Sequence, residues 1–406
     1  MSSPASRPAD SYSPLYFLAS LGAGGLTVTF FMYLMFWLPH PGRPVPIFED
    51  VAAGLASGGT ALRLAIVVAL IGIAVMAFLN IKLLIWNIGA LRRFQQSEAY
   101  AELRRTNGET TLLAAPLAAA MTVNVGFILG LVFVPGLWGI VEYLFPMALI
   151  AFLAIGIWAL RLVGHFLGRV LSQGGVYDMT AHNSFAQLLP AFAIAMVGVG
   201  LSAPAAMSTN TVIVGASLVL STFFGVTAII YTLFAAITGL NSMLHHGTAE
   251  ESAPTLMVVV PIVTVLGIMF MRQDHGLHVA FEVHSGAGET LIFLSRLITI
   301  ELLFLALGLL VLKRQGYWRN FISGERASAG SYTLICPGVA FAVLMHFFVN
   351  KGLVAAGVIA KFGPAYWGLT AIAILAQFAM IALVLHLNRK HFTPRSTAPA
   401  GPLSAT

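Results

Sequence analysis

A glutamate stands where an acid is least expected. Glu301 is the eleventh residue of the largely apolar stretch LIFLSRLITIELLFLALGLLVL, over 291–312. An ionised carboxylate near the middle of a hydrocarbon layer is costly, so an acid there is a candidate for function. It is read here as a proton-coupling candidate, one that takes up and releases a proton as a solute moves. The alternative is a neutral or paired glutamate bridging helices; Arg296 is five residues away and does not share its helical face. A second set of polar side chains is scattered through other apolar runs: Thr122 and Asn124, Gln187, Thr255 and Thr264, and Thr333. Hydroxyls and amides can donate to an anion without fixing it tightly, as conduction requires. They can equally satisfy backbone carbonyls set free in the same helices. Both readings stand at this level.

Other chemistries are poorly provided for. Cys336 is the single cysteine, which excludes an internal disulfide and every Cys-pair metal or iron–sulfur pattern. No HExxH, nucleophile elbow or phosphate loop occurs, so the chain is read as not an enzyme, with no metal and no cofactor. One alternative is a haem-binding electron-transfer subunit. Paired histidines at one depth would be needed, and His165 and His386 both approach the same end of their runs, whereas His346 lies towards the other.

The elements that must position these residues follow from composition. Of 406 residues 58% are hydrophobic and 9% charged, with a mean hydropathy of +0.89, more apolar surface than a soluble domain of this length can hide. Runs long enough to cross ~30 Å of hydrocarbon lie near 16–38, 64–88, 111–133, 139–163, 186–206, 212–238, 254–271, 291–312, 332–349 and 366–387. The expected fold is therefore an all-α integral membrane protein of ten transmembrane helices. Residues 1–14 and 391–406 form polar tails, the second read as disordered, around a transport domain of 15–390. The first run is too long for the hydrophobic region of a cleaved signal peptide and is expected to be retained.

The net charge of +6 is a topology signal, not a nucleic-acid footprint. Arg7, Arg92, Arg93, Arg104, Arg105, Arg169, Lys313, Arg314, Arg319, Arg326, Arg389, Lys390 and Arg395 fall on one side of a ten-helix chain. Only Arg43, Arg63, Arg272, Lys351 and Lys361 fall on the other. The positive-inside rule then makes both termini cytoplasmic. Lys82 and Arg161, near helix ends, are expected to snorkel.

Internal repetition comes from prolines. Pro116 (TLLAAPLAAAM), Pro190 (FAQLLPAFAIAM), Pro261 (TLMVVVPIVTV) and Pro337 (YTLICPGVAFAV) lie 74, 71 and 76 residues apart, the length of a two-helix hairpin. In the first run Gly22, Gly24 and Gly25 occupy the corresponding place and let a backbone bend or approach a neighbour. Five hairpins repeated in one orientation close into a pseudo-five-fold ring. The kinked odd helices, rich in alanine and glycine, then form the inner ring around a pore, and the bulkier even helices face lipid.

This pattern, with segments such as PTLMVVVPIVTVLG and LLPAFAIAMVGVGLSA, resembles the tellurite-resistance and C4-dicarboxylate transporter family, which includes the slow-type anion channels of plant guard cells. The resemblance covers roughly 14–390. It implies a pore through each protomer, movement of small anions (inorganic oxyanions, halide or dicarboxylates) by channel or proton-linked carrier, a homotrimer, and a place in the bacterial inner membrane. In the channels a phenylalanine of the ninth helix, close to a proline, plugs the pore. Three features depart from the family: extra length in loops at 39–63 and 272–290 and in the tail, glycines in place of the first proline, and Cys336 rather than Phe before Pro337. The gate candidates are accordingly Cys336 and Phe341, the nearest aromatic one turn further on the same face.

Overall fold

The computed structural model describes residues 7–173, 177–178, 184–282 and 286–394; Arg395 and the rest of the C-terminal tail lie outside them. The described residues are helical, with no strand among them. Ten helices among them are long and apolar enough to cross a membrane: α1 (Pro14–Trp37), α2 (Thr60–Phe94), α3 (Asn107–Phe133), α4 (Leu137–Gln173), α5 (Phe185–Met207), α6 (Thr211–His246), α7 (Ala253–Phe281), α8 (Ala287–Arg314), α9 (Ala329–Val354) and α10 (Pro364–Phe392). The chain is a multi-pass membrane protein. Several spans outrun their apolar runs. At 1.5 Å per residue the 35 residues of α2 reach ~52 Å, so its ends, Arg92 and Arg93 included, project beyond the hydrocarbon.

Two expected loops are partly helical. Within 39–63, Phe48–Ser57 is a helix; the Asp50 carboxylate accepts from the Ile47 N–H at 3.0 Å and from Arg43 Nε at 3.2 Å, fixing its start. In place of a loop over 272–290, α7 continues to Phe281 and α8 begins at Ala287. Hydropathy falls at Arg272–Gln273–Asp274–His275, but Gly276 packs directly on the Ala205 backbone, and that contact supports the helix past its apolar stretch.

Burial separates the spans into two layers. Between 61% and 94% of the apolar window is buried in each odd span, but only 22% to 39% in each even span. Among the odd spans α1 touches α3 and α9, α3 touches α5, α5 touches α7, and α7 touches α9. Each even span packs on the odd span before it. Outward-facing Leu64, Phe78, Ile150, Ile230, Leu303 and Leu375 leave an apolar surface suited to lipid. The inner spans come close because their contact residues are small, as at Ala114, Ala118, Ala191 and Ala193, which are fully buried.

Asn80, which sequence reasoning passed over, ties three spans together. Its amide donates to the Ser20 carbonyl of α1 at 2.8 Å, and its Oδ1 accepts from the Thr122 hydroxyl of α3 at 3.1 Å. The start of α1 and the end of α10 meet at one end of the bundle, where the Tyr16 hydroxyl and His391 Nδ1 are 2.9 Å apart. The preceding turn Pro8–Asp10 buries Ala9. The opposite end is called the far end below.

Tight packing of α1 on α2 gives a stability prediction. A Cβ on Gly72 would clash with the Phe30 ring, whereas one on Gly89 meets only Arg93 Nη1 at 3.8 Å. Gly72→Ala is expected to cost about 1–3 kcal/mol by overpacking and to lower the thermal unfolding midpoint in detergent. Gly89→Ala should leave that midpoint in place.

Candidate functional site: a chamber between the buried spans

The four prolines do not lie in helix interiors. Each odd span from α3 onward starts as a 3₁₀ turn and becomes α-helical just before its proline: at Ala114 for Pro116, Leu189 for Pro190, Val259 for Pro261 and Ile335 for Pro337. Each ring therefore occupies the first α-helical turn, where a missing N–H costs little. The carbonyls expected to be freed are partly taken by the 3₁₀ turns. Leu189 N–H donates to Ala186 O, and Ala114 N–H reaches Thr111 O and Leu112 O. The break is a 3₁₀-to-α junction in place of a mid-helix kink.

Gly24 and Gly25 interrupt no helix, since the α-helix of the first span is continuous from Phe17 to Trp37. They serve close approach. A Cβ on Gly24 would lie 2.9 Å from Asn80 Nδ2, and one on Gly25 2.7 Å from Val339 Cγ1.

All five odd spans contribute to a chamber of about 590 Å³. Its lining stops, towards the chain termini, at Leu21, Gly22, Met121, Phe192, Pro261 and Cys336. Its walls are apolar, with Val28, Met32, Met196, Val265 and Val343 on the odd spans and Phe145 and Phe152 reaching in from α4. The Phe152 ring fits only because Gly200 has no side chain.

The rim at the far end carries the charge. Arg272 and Asp274, together with His275 and His278, come from the part of α7 expected to be loop. Lys351 comes from Phe348–Val354, a π-helical turn closing α9. Arg272 is positioned by a 2.7 Å hydrogen bond from Nη1 to Val199 O, and Lys351 is exposed. Sequence reasoning had counted both only as far-side charges. A cue was available in the helical spacing from Ile268 and Met271, which also line the chamber, to His275 and His278.

Of the pore-lining candidates, Asn124 and Thr264 face the chamber. Thr122 instead donates to Asn80 and to Ala118 O, Gln187 Nε2 donates to Asn107 O at 3.1 Å, and Thr255 donates to Ser252 O at 2.6 Å. Thr333 is 5% exposed and lies off the lining. Gln187 and Thr255 thus satisfy backbone carbonyls near the 3₁₀ starts of their spans, and Thr122 bonds within its own helix and to α2. Cys336 lines the chamber floor; Phe341 does not, since the lining face of α9 runs through Cys336, Val339, Ala340, Val343 and Phe347.

Glu301 is fully buried and lies off the lining itself. The hydroxyl of Thr264, a residue of the chamber lining, donates to its Oε1, while Oε2 has no protein partner. No ion pair reaches Glu301 among the described residues. Thr264 thus stands between the chamber and a buried carboxyl group.

Of the histidines weighed for haem, His165 and His386 each engage one ring nitrogen within the protein. Glu109, 1% exposed, bonds His165 Nδ1 at 2.7 Å and also engages Arg104 and Arg169. His386 Nε2 lies 2.9 Å from Ile322 O. His346 is buried at the far end against Tyr33, Phe36 and Trp37. No group of three or more metal-ligating acids, histidines or cysteines occurs among the described residues. No protein-family model matches the chain, and no curated protein matches it.

Proposed function

We propose that the protein moves small anions across the membrane through a pore formed inside a five-membered ring of odd spans, as a channel or a proton-linked carrier. The observation that carries this reading is the chamber. Every odd span lines it, its walls are mostly apolar, and its far rim holds Arg272 and Lys351, with Asp274 as the one acid among the lining residues. Cationic side chains at the mouth of a low-dielectric passage raise the local anion concentration and repel cations. The closed cycle of contacts among α1, α3, α5, α7 and α9 supports the ring, and the spacing of the four prolines supports five hairpin repeats. The resemblance to the tellurite-resistance and dicarboxylate family supports the same reading and adds the expectation of a trimer with one pore per subunit in a bacterial inner membrane.

Purified protein in proteoliposomes should release chloride, nitrate, sulfite or a dicarboxylate faster than empty vesicles. Arg272→Gln should slow that release several-fold without unfolding the protein. Equal rates with and without protein across the panel, or preferential cation flux, would remove the reading.

The orientation makes a separate prediction. Basic residues gather at the loops after α2 and α8 and at both termini, so reporters fused at Ser97, Gly324 and the C-terminus should all report cytoplasm, and one at Gly58 the opposite side. A split among the first three sites would contradict the ten-span arrangement.

A further inference from the structure

The chamber is far larger than an inorganic anion needs. About 590 Å³ falls in the range of pockets that enclose organic ligands, which are mostly apolar with a few fixed polar groups. Its charge is also one-sided. The charged groups stand together at the far rim, while the interior is walled by side chains such as Met32, Met35, Met196, Met271, Phe145 and Phe347. A small inorganic anion at Arg272 would leave most of the apolar wall without a partner. A molecule with a charged head and an apolar body meets both halves at once. Methionines suit such a body because their flexible, polarisable side chains conform to different shapes.

The rim also limits the charge of the head. Arg272 and Lys351 face it with Asp274, beside the titratable His275 and His278. Arg272 and Lys351 against Asp274 leave one net positive charge, which matches a singly charged carboxylate better than a dianion. The Arg272 guanidinium spends one donor on Val199 O and has further N–H groups for a carboxylate.

We propose that the chamber binds an amphiphilic monocarboxylate, its carboxylate held between Arg272 and Lys351 at the far rim and its aliphatic or aromatic body filling the methionine- and phenylalanine-walled interior. This assignment rests on the anion-pathway reading and names the substrate class for it.

Calorimetric titration of the full chain in lipid nanodiscs with acetate, butanoate, hexanoate and octanoate tests it, with empty nanodiscs subtracted to remove partitioning into lipid. Burial of each added methylene should raise affinity about fourfold, and succinate should bind more weakly than octanoate. Arg272→Gln should weaken the whole series by a common factor and leave the chain-length slope unchanged. Ala340→Leu, which fills part of the chamber wall, should flatten the slope for the longer acids. Affinity independent of chain length, or octanoate binding unaffected by Arg272→Gln, would overturn the assignment. Arg272-dependent flux of chloride or nitrate alongside either result would leave the anion pathway standing without this substrate class. The absence of any anion binding or flux would remove both.

Discussion

Phe192→Ala is expected to raise anion flux by about an order of magnitude or more, and Phe341→Ala to leave it unchanged, because an aromatic ring in a narrow apolar passage blocks by bulk and by dewetting. Phe192 is the one aromatic among the residues where the chamber lining stops, and it lies two positions beyond Pro190 on α5, the most buried of the ten spans. Its ring is 4% exposed. The residues level with it, Gly22, Met121, Pro261 and Cys336, are smaller or more flexible, so removing the phenyl group leaves no rigid obstruction there. Stopped-flow flux measurements on matched amounts of folded protein give the comparison. Phe192→Leu, which keeps most of the volume, should show a smaller gain. If the ring only packs, its loss should cost about 3–5 kcal/mol as a cavity with no gain in flux, and that pairing of results would exclude a gate at Phe192. Cys336 supplies an internal reporter, since it borders the same floor and is 7% exposed. A small charged thiol reagent should modify it faster in Phe192→Ala than in the unaltered protein.

The choice between these two phenylalanines shows what the sequence carries and what it does not. Ten apolar runs and four evenly spaced prolines can be read directly, because length against hydrocarbon thickness and a fixed interval need no knowledge of neighbours. Which face of an inner span looks into the pore cannot be read that way. LPAFAIAMVGVGL of α5 and, before His346, ICPGVAFAVLM of α9 are apolar on all sides, so no polar stripe marks the lining. Only packing places Phe192 on the lining and Phe341 away from it. The prolines show a similar limit. Their positions are plain, but whether each interrupts a helix or opens one depends on the backbone of the residues before it, and those residues form 3₁₀ turns. Arg272 was misplaced for a different reason. Hydropathy ends a span where charge begins, whereas α7 is held in helical form past that point by Gly276 against α5. Glu301 was legible in full as an anomaly; its partner Thr264 was legible only as one hydroxyl among several.

Glu301→Gln is expected to abolish any acceleration of anion uptake by an inward proton gradient while leaving uptake without a gradient measurable. The carboxyl group is fully buried within α8, hydrogen-bonded through Oε1 to the hydroxyl of Thr264, a residue of the chamber lining, and it has no ion-pair partner among the described residues. A lone carboxylate in that setting carries a large desolvation cost, which a proton removes. The Thr264 hydroxyl also lies 3.1 Å from the Val260 carbonyl, so when it donates there its oxygen can accept from a protonated Glu301. A neutral acid thus completes a hydrogen-bond chain that a carboxylate leaves in competition for one hydrogen. Glutamine keeps the shape and can donate to the same hydroxyl, but it cannot exchange a proton near neutral pH, so coupling is lost and packing is kept. Thr264→Val should weaken coupling by cutting the link between the chamber and the acid. The measurement is initial uptake into proteoliposomes with equal and with acidic external pH, at fixed membrane potential. Equal stimulation of the unaltered protein and Glu301→Gln by the acidic exterior would take Glu301 out of the transport cycle. It would then be a pin between α7 and α8, and Glu301→Ala should cost about 1–3 kcal/mol of stability through the partner left unmade.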